Sequence, residues 1–408
     1  MFVIPDAFKE NNEDYITIPV LKEFIKSKKI KILLNNDRKA LMNAVIEYAN
    51  TNDVAAEEVA DWVDCVVKEG IKDIYIKTID EKHCEKINYN WQEVQEKTNP
   101  LLRWTDVHHL CGNRYNDQLK LVKVKLCTNG KTEYYSFSFG RMVYIYDGKE
   151  SLKARLYPAF VDLYPQNGII IGRIKPKQNM YIYNNGNFDK DNTVQVESET
   201  VVINAMEIVE NLFKIVTKGT LDVKDDYKEK LYCLLEKYTE TPPEIVALIE
   251  ENKSNINNVI ETIAKKICGL HYTEDLTQDI YNLIEKYFSI TYPNKEIFTT
   301  GRTAYPLRIA ATDEEESKVD QRSAKEDPLQ SKAVFFDNKK MIQKSKKCDG
   351  IIFMFEQISK SGKYYKVRFV VKKDYCLMKF TEYTEEWDIQ NVLLLFINAQ
   401  RHFNRRTV

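Results

Sequence analysis

The chain has 408 residues, 43% apolar and 30% charged, with a formal charge of −1; this is the make-up of a folded protein with room for about two to four domains. No stretch approaches the roughly 18 apolar residues of a membrane span, and the opening "MFVIPDAFKENNEDY" lacks a basic start and an apolar h-region, so membrane insertion and export are not expected. The eight cysteines (Cys65, Cys84, Cys111, Cys127, Cys233, Cys268, Cys348 and Cys376) are scattered without close pairs, which suits a reducing, cytoplasmic interior.

Residues 1–100 read as mainly helical. "NDRKALMNAVIEYANTN" places Leu41, Val45 and Tyr48 on one stripe behind Asp37 as N-cap, and "DVAAEEVADWVDCVVKEG" does the same with Val59, Trp62, Val63 and Val66 before Gly70. A short strand, "IKDIYIKTI", follows. Such a helix pair also fits a helix-turn-helix, but the segment holds 14 Lys/Arg against 19 Asp/Glu, a poor match to DNA.

Residues 101–197 read as a basic antiparallel β-rich domain, a sheet or small barrel. "LKLVKVKL" sends Val122, Val124 and Leu126 one way and Lys123 and Lys125 the other; "EYYSFSF" sends Tyr135, Phe137 and Phe139 inward and Ser136 and Ser138 outward. Asn129-Gly130 between them is a hairpin turn signal. "MVYIY", the turn "DGKE" and "KARLYPAFVDLYPQNGIIIGRIKPKQNMYIY" continue the pattern to "NNGN" at 184–187. Residues 198–290 return to helix, in "PPEIVALIEEN", "NINNVIETIAKKICG" up to Gly269, and "EDLTQDIYNLIEKYF". Residues 291–330 include most of the almost wholly polar stretch 311–332, which reads as a linker or exposed loop. Residues 331–408 read as a basic α+β unit, with the strands "GIIFMFE" and "KYYKVRFVVKK" and the closing helix "DIQNVLLLFINAQRHF". The expected class is therefore α+β and multi-domain.

The near-neutral total hides a segregation. Residues 119–183 hold 11 Lys/Arg against 4 Asp/Glu, residues 331–379 hold 13 against 4, and the helical 198–290 hold 10 against 17. Two readings follow: the basic strands face a polyanion, whose phosphates Lys and Arg neutralise and whose bases stack on aromatics, or they dock on the acidic helices of the same chain. The first assigns contacts to Lys123, Lys125, Arg141, Lys153, Arg155, Tyr157, Arg173, Lys175, Lys177, Lys366, Arg368 and Lys372. Alternation puts Arg173, Lys175 and Lys177 on one face of their strand and Lys153, Arg155 and Tyr157 on one face of theirs, with Pro158 and Pro165 disturbing the parity between.

Catalytic signatures are scarce: the phosphate-cradling "GxxxxGK[ST]" and "GxGxxG" and the hydrolytic "GxSxG" and "HExxH" are absent. Cys84, His109, Cys111 and Cys127 have the donors for zinc, but at no finger or ribbon spacing, so no metal site is expected; His109 and Cys111 form only a weak nucleophilic pair. A Mg²⁺-dependent nuclease would draw on Asp349, Glu356 and Lys363, but the second strand lacks the acidic residue two before its lysine, and Asp162 ahead of "GRIK" fails in the same way. Arg302 and Arg308 in "TTGRTAYPLRIA" offer an anion grip or, more commonly for an Arg beside a Gly, a structural donor. The expected function is a cytoplasmic nucleic-acid-associated binding protein without catalytic chemistry of its own. The many Lys, Ile, Asn and Tyr residues suit an AT-rich coding sequence of a low-GC bacterium, which, with the absence of self-sufficient chemistry, extends this to a subunit of a bacterial antiviral defence system. The alternatives are the nuclease, the one reading that needs Mg²⁺ as cofactor, and a protein-interaction scaffold that docks a partner protein.

Overall fold

The computed structural model describes residues 2–10, 15–84, 90–103, 105–146, 152–183, 193–267, 274–312, 316–358 and 362–399. The expected turns at 147–150 and 184–187, the stop at Gly269, and Cys268 lie outside the described residues. The protein is α+β. In chain order the strands are β1 (Lys72–Thr78), β2 (Lys120–Asn129), β3 (Thr132–Tyr146), β4 (Leu152–Tyr164), β5 (Ile169–Ile174), β6 (Met180–Tyr183), β7 (Thr193–Val196), β8 (Ala304–Thr312), β9 (Lys318–Arg322), β10 (Gly350–Glu356), β11 (Tyr364–Val371) and β12 (Cys376–Phe380). Among the described residues no helix is long and apolar enough to cross a membrane.

The chain divides into two compact units, at boundaries other than those of the five segments read from composition: Met1–Thr220 with Asp374–Gln390, and Leu221–Lys373 with Asn391–Val408. In the first unit the strand order is β7-β6-β3-β4-β5-β1-β12, with β2 paired to β3, and the pairings are antiparallel. The Asn129-Gly130 turn forms as expected, Asn129 opposite Thr132 and Gly130 at φ +62°, a left-handed conformation that favours glycine. Pro158 lies inside β4, but pairing with β5 starts only at Ala159, so the proline has a ladder partner on one side alone.

Both faces of this sheet are covered. The helices Ile18–Ser27, Arg38–Ala49 and Asp53–Val66 bury Leu21, Leu41, Val45, Val59 and Val63 in one cluster with Leu156 and Phe160. Asp37 caps the second of them, its side chain accepting from the N–H groups of Lys39 and Ala40. Helix Ser198–Phe213 lies over the opposite face so closely that a Cβ on Gly172 would meet Met206 Sδ at 2.5 Å and Val202 Cγ2 at 2.7 Å. Polar residues that alternation assigns to a wet face are therefore enclosed. Ser136 and Ser138 are 2% and 3% exposed, and Arg173 is 1% exposed.

An enclosed guanidinium requires partners, since transferring an unpaired charge out of water costs many kcal/mol. Arg173 has two carboxylates, Asp162 with Oδ2 3.4 Å from Nη2 and Glu386 paired with Nη1, and Nη1 also donates to Lys68 O at 3.4 Å. Ser136 Oγ donates to Asp162 Oδ1 at 2.5 Å and accepts from Lys68 Nζ at 2.8 Å. Gln390 Nε2 donates to Glu386 Oε1 at 2.7 Å, while its Oε1 accepts from Asn129 and Tyr164.

In the second unit the strand order is β9-β8-β10-β11, again antiparallel. Ile351, Phe353, Phe355, Tyr365, Val367 and Phe369 form its buried face, with the Tyr238 ring 5.5 Å from Phe353 and Phe369 stacked on Phe396. The polar stretch 311–332 is not a linker: it holds the end of β8 and all of β9, polar because β9 is the outer strand of this unit's sheet. Part of the charge segregation is settled internally, where Lys339 pairs with Glu285 (2.5 Å), Lys340 with Asp279 (2.8 Å) and Lys347 with Asp225 (2.7 Å).

Arg173→Met leaves Asp162 and Glu386 as uncompensated charges, and a loss of about 3–5 kcal/mol in unfolding free energy is expected. Urea denaturation followed by circular dichroism checks it; a loss below about 1 kcal/mol would contradict the pairing described.

Candidate nucleic-acid interface

Directly opposed residues in antiparallel strands point to the same side of the sheet. On the outer face of the second unit, Arg322 of β9 opposes Arg308 of β8, Arg308 opposes Ile352 of β10, and Ile352 opposes Arg368 of β11. Three arginines thus form one row across four strands, spanning about 14 Å at a strand spacing of about 4.8 Å. Next along the strands come Tyr305, Met354 and Lys366, followed by Tyr364 opposite Glu356. A bulge in β8, where the register with β10 shifts between Ile352 and Phe353, lets the consecutive Leu307 and Arg308 serve the same face: Leu307 joins Tyr305 and Met354 in a small apolar cluster edged by Ile352 and Tyr364. The rings of Tyr305 and Tyr364 lie 5.9 Å apart, tilted by 59°.

The charges of this face are only partly satisfied. Arg308 grips Asp320 through two hydrogen bonds, Nε to Oδ1 at 2.7 Å and Nη2 to Oδ2. That bond, with the fields of Arg368 and Arg322, holds the Asp320 carboxyl below its ordinary range against a smaller opposing effect of burial. Lys366 pairs with Glu326. Arg322 and Arg368 are exposed and form no hydrogen bond or ion pair among the described residues. Between Arg308 and Arg368 lies a shallow hollow of about 200 Å³, floored by Ala310 and Gly350. Gly350 keeps the floor bare, since a Cβ there would approach the Phe369 carbonyl oxygen to 2.9 Å.

The other predicted contacts are placed differently. Arg173, Tyr157 and Arg141 are 1%, 1% and 6% exposed, so they present nothing to a phosphate backbone. Tyr157 donates to Lys175 O and to Ser198 Oγ, and Arg141 to Asp117 O. Arg155 pairs with Glu10 at 2.5 Å. β5 ends at Ile174, so Lys175 and Lys177 are past the strand and do not extend a row from Arg173; both are half-buried, whereas Lys125 and Lys153 are exposed. Lys366 and Arg368 lie on the outer face of β11, and Lys372 follows the strand, exposed. Arg302 is a structural donor to Tyr238 O, Glu240 O and Gln330 Oε1. Composition missed Arg322 because it lies in the polar stretch; the alternation of Lys318, Asp320 and Arg322 was the signal that could have found it.

The nuclease constellation does not assemble. Asp349 and Glu356 flank the full length of β10, about 23 Å at a rise of about 3.3 Å per residue, too far to share one Mg²⁺. Asp349 pairs with Lys228 at 2.7 Å and accepts from Thr312 Oγ1; Glu356 Oε1 accepts from Gly362 N–H; Lys363 is exposed.

Among the residues weighed for zinc, His109 gathers carboxylates rather than thiols. Its Nδ1 lies 2.9 Å from Asp64 Oδ2 and its Nε2 2.8 Å from Glu57 Oε1, and Asp61 completes a cluster of potential ligands. An ammonium stands in the middle: Lys123 Nζ is 2.6 Å from Asp61 Oδ1 and 3.0 Å from both Asp64 Oδ2 and His109 Nδ1. Cys111 is buried, and its thiol is pushed far up by that burial, which opposes a thiolate. Cys127 is shifted the same way, and the Cys84 side chain lies outside what is described. The cluster joins helix Asp53–Val66 to the 109–111 loop and β2. No protein-family model matches the chain, and no curated protein matches it either.

Burial lowers the His109 pKa, but hydrogen bonds to Asp64 and Glu57 outweigh it and the net shift is upward, despite the opposing field of Lys123. The ion pairs therefore stabilise the fold fully below the unfolded pKa of about 6.5 and lose that contribution as pH rises through the higher folded value. The destabilisation by His109→Gln, read as the urea midpoint difference from wild type, is expected to be larger at about pH 5.5 than at about pH 8.5. A difference that grows with pH would contradict the assignment.

Proposed function

We propose that the outer face of the β9-β8-β10-β11 sheet binds nucleic acid through its phosphates, and that the protein is a nucleic-acid-binding module. The observation that carries this reading is the pair Arg322 and Arg368, exposed and without ion-pair partners among the described residues, on either side of Arg308 in one row. Leaving guanidinium groups aligned and unpaired on one face raises the local potential, and each phosphate they neutralise releases counterions to the bulk. Asp320 supports the same reading: a carboxylate held by Arg308 within the fields of Arg322 and Arg368 marks where an anion is favoured. The buried cations of the first unit take no part, because their fields are already answered by Asp162, Glu386, Asp61 and Asp64.

The test is a fluorescence-anisotropy titration of labelled oligonucleotides at about 50, 100 and 200 mM salt. Three phosphate contacts predict a slope of log K on log salt of about −2 to −3, and Arg322→Ala or Arg368→Ala is expected to weaken binding and reduce the slope by about one. Asp320→Asn, which frees Arg308, is expected to tighten binding several-fold. No binding at the lowest salt, or a slope untouched by either arginine variant, would overturn the proposal.

A further inference from the structure

Two rows of different chemistry lie side by side on the outer face of the second unit. Arg322, Arg308 and Arg368 form one; Tyr305 and Met354, with Leu307 beside them, form the other, which Lys366 continues on β11, and Tyr364 stands one row beyond, opposite Glu356. Two residues along a strand separate adjacent rows, about 7 Å, so Tyr364 lies about 13 Å from Arg368 along β11, a span that an arginine side chain and one nucleotide bridge together. A backbone laid along the arginine row, perpendicular to the strands, would send its bases past Tyr305 and Met354, which are 8% and 6% exposed, toward the half-buried Tyr364. Resting on the nucleic-acid reading above, we infer that this face takes single-stranded nucleic acid, its phosphates on Arg322, Arg308 and Arg368 and a base packed against Tyr364.

The competing polyanions fit less well. A duplex hides its base faces inside the stack and is read by elements that project into a groove; here every residue named belongs to a strand of one sheet, and the open part of the Tyr364 ring would be left facing sugar and phosphate. A polyanion without rings would use the arginines and leave that ring without a partner. Unpaired bases satisfy both the arginines and Tyr364, because each base has a π-face for an aromatic side chain while its phosphate stays with the cations. Tyr364 is half-buried: its ring touches Tyr305 on one side and keeps some open surface. Tyr305, 8% exposed, serves as its support.

The experiment uses the full chain at about 50, 100 and 200 mM salt, with a 12-nucleotide oligothymidylate, a 12-base-pair duplex and heparin as probes, and affinities are compared at the lowest salt. The single strand is expected to bind at least about tenfold more tightly than the duplex, and Tyr364→Ala to weaken it by about 5- to 100-fold. Its salt slope should stay unchanged, whereas Arg368→Ala should lower the slope for both nucleic acids. Because Tyr364 packs on Tyr305, Tyr364→Leu serves as the second variant: it keeps apolar cover but no π-face and should weaken the single strand in a folded protein, while Tyr364→Phe should retain affinity. A duplex bound as tightly as the single strand, heparin bound as tightly as either, or oligothymidylate affinity unchanged in both Tyr364→Ala and Tyr364→Leu, overturns the single-strand inference and leaves the phosphate-binding reading standing. Failure of every nucleic acid to bind overturns both.

Discussion

Whether a face of a sheet is covered decides what a charge on it does. In the first unit both faces are closed by helices, and Arg173 is held there only because Asp162 and Glu386 meet it inside. Ser136 and Gln390 then donate to the two carboxylates, and Lys68 donates to the Ser136 hydroxyl. The same physics gathers Lys123 and His109 among Asp61, Asp64 and Glu57. In the second unit one face is packed with phenylalanine and the other carries Arg322 and Arg368, which are exposed and form no ion pair among the described residues. Two basic β segments of similar composition therefore have opposite consequences.

Pairing within the chain also explains why the acidic and basic segments nearly cancel. Lys339, Lys340 and Lys347 meet Glu285, Asp279 and Asp225, so much of the positive excess after residue 331 is absorbed by the helices that precede it. The uncancelled arginines Arg322 and Arg368 stand on strands, where side chains are held at fixed spacing. Such a surface presents a pattern of charge, which a flexible basic tail of equal charge would not.

Much of the fold was legible because its signals are local. Asp37 before an apolar stripe, Asn129-Gly130 between two alternating runs, and the buried run "GIIFMFE" each depend on a few neighbours, and each forms as read. Coverage was not legible. Period two states that Ser136 and Phe137 point opposite ways, but not that helices close over both sides, and this is why Arg173, Tyr157 and Arg141 were read as surface contacts. The arginine row was hidden for a related reason: Arg308, Arg322 and Arg368 become neighbours only through strand register, and a one-residue bulge in β8 sets that register. Polarity misled once more at 311–332, where an outer strand has the composition of a linker.

The return of the chain to the first unit bears on how the protein comes to be made. β1 pairs with β5 on one side and with β12 on the other, and β12 lies about three hundred residues further along the chain; long-range pairings of this kind are slow to form. During synthesis the first unit waits, with one edge of β1 unpaired, until residues 221–373 of the second unit have emerged. Glu386 arrives later still, so the second partner of Arg173 is among the last pieces supplied. A ribosome that stalls beyond residue 220 releases a sheet with an open edge and an under-neutralised arginine in its interior, a product suited to aggregation and to proteolysis rather than to independent use.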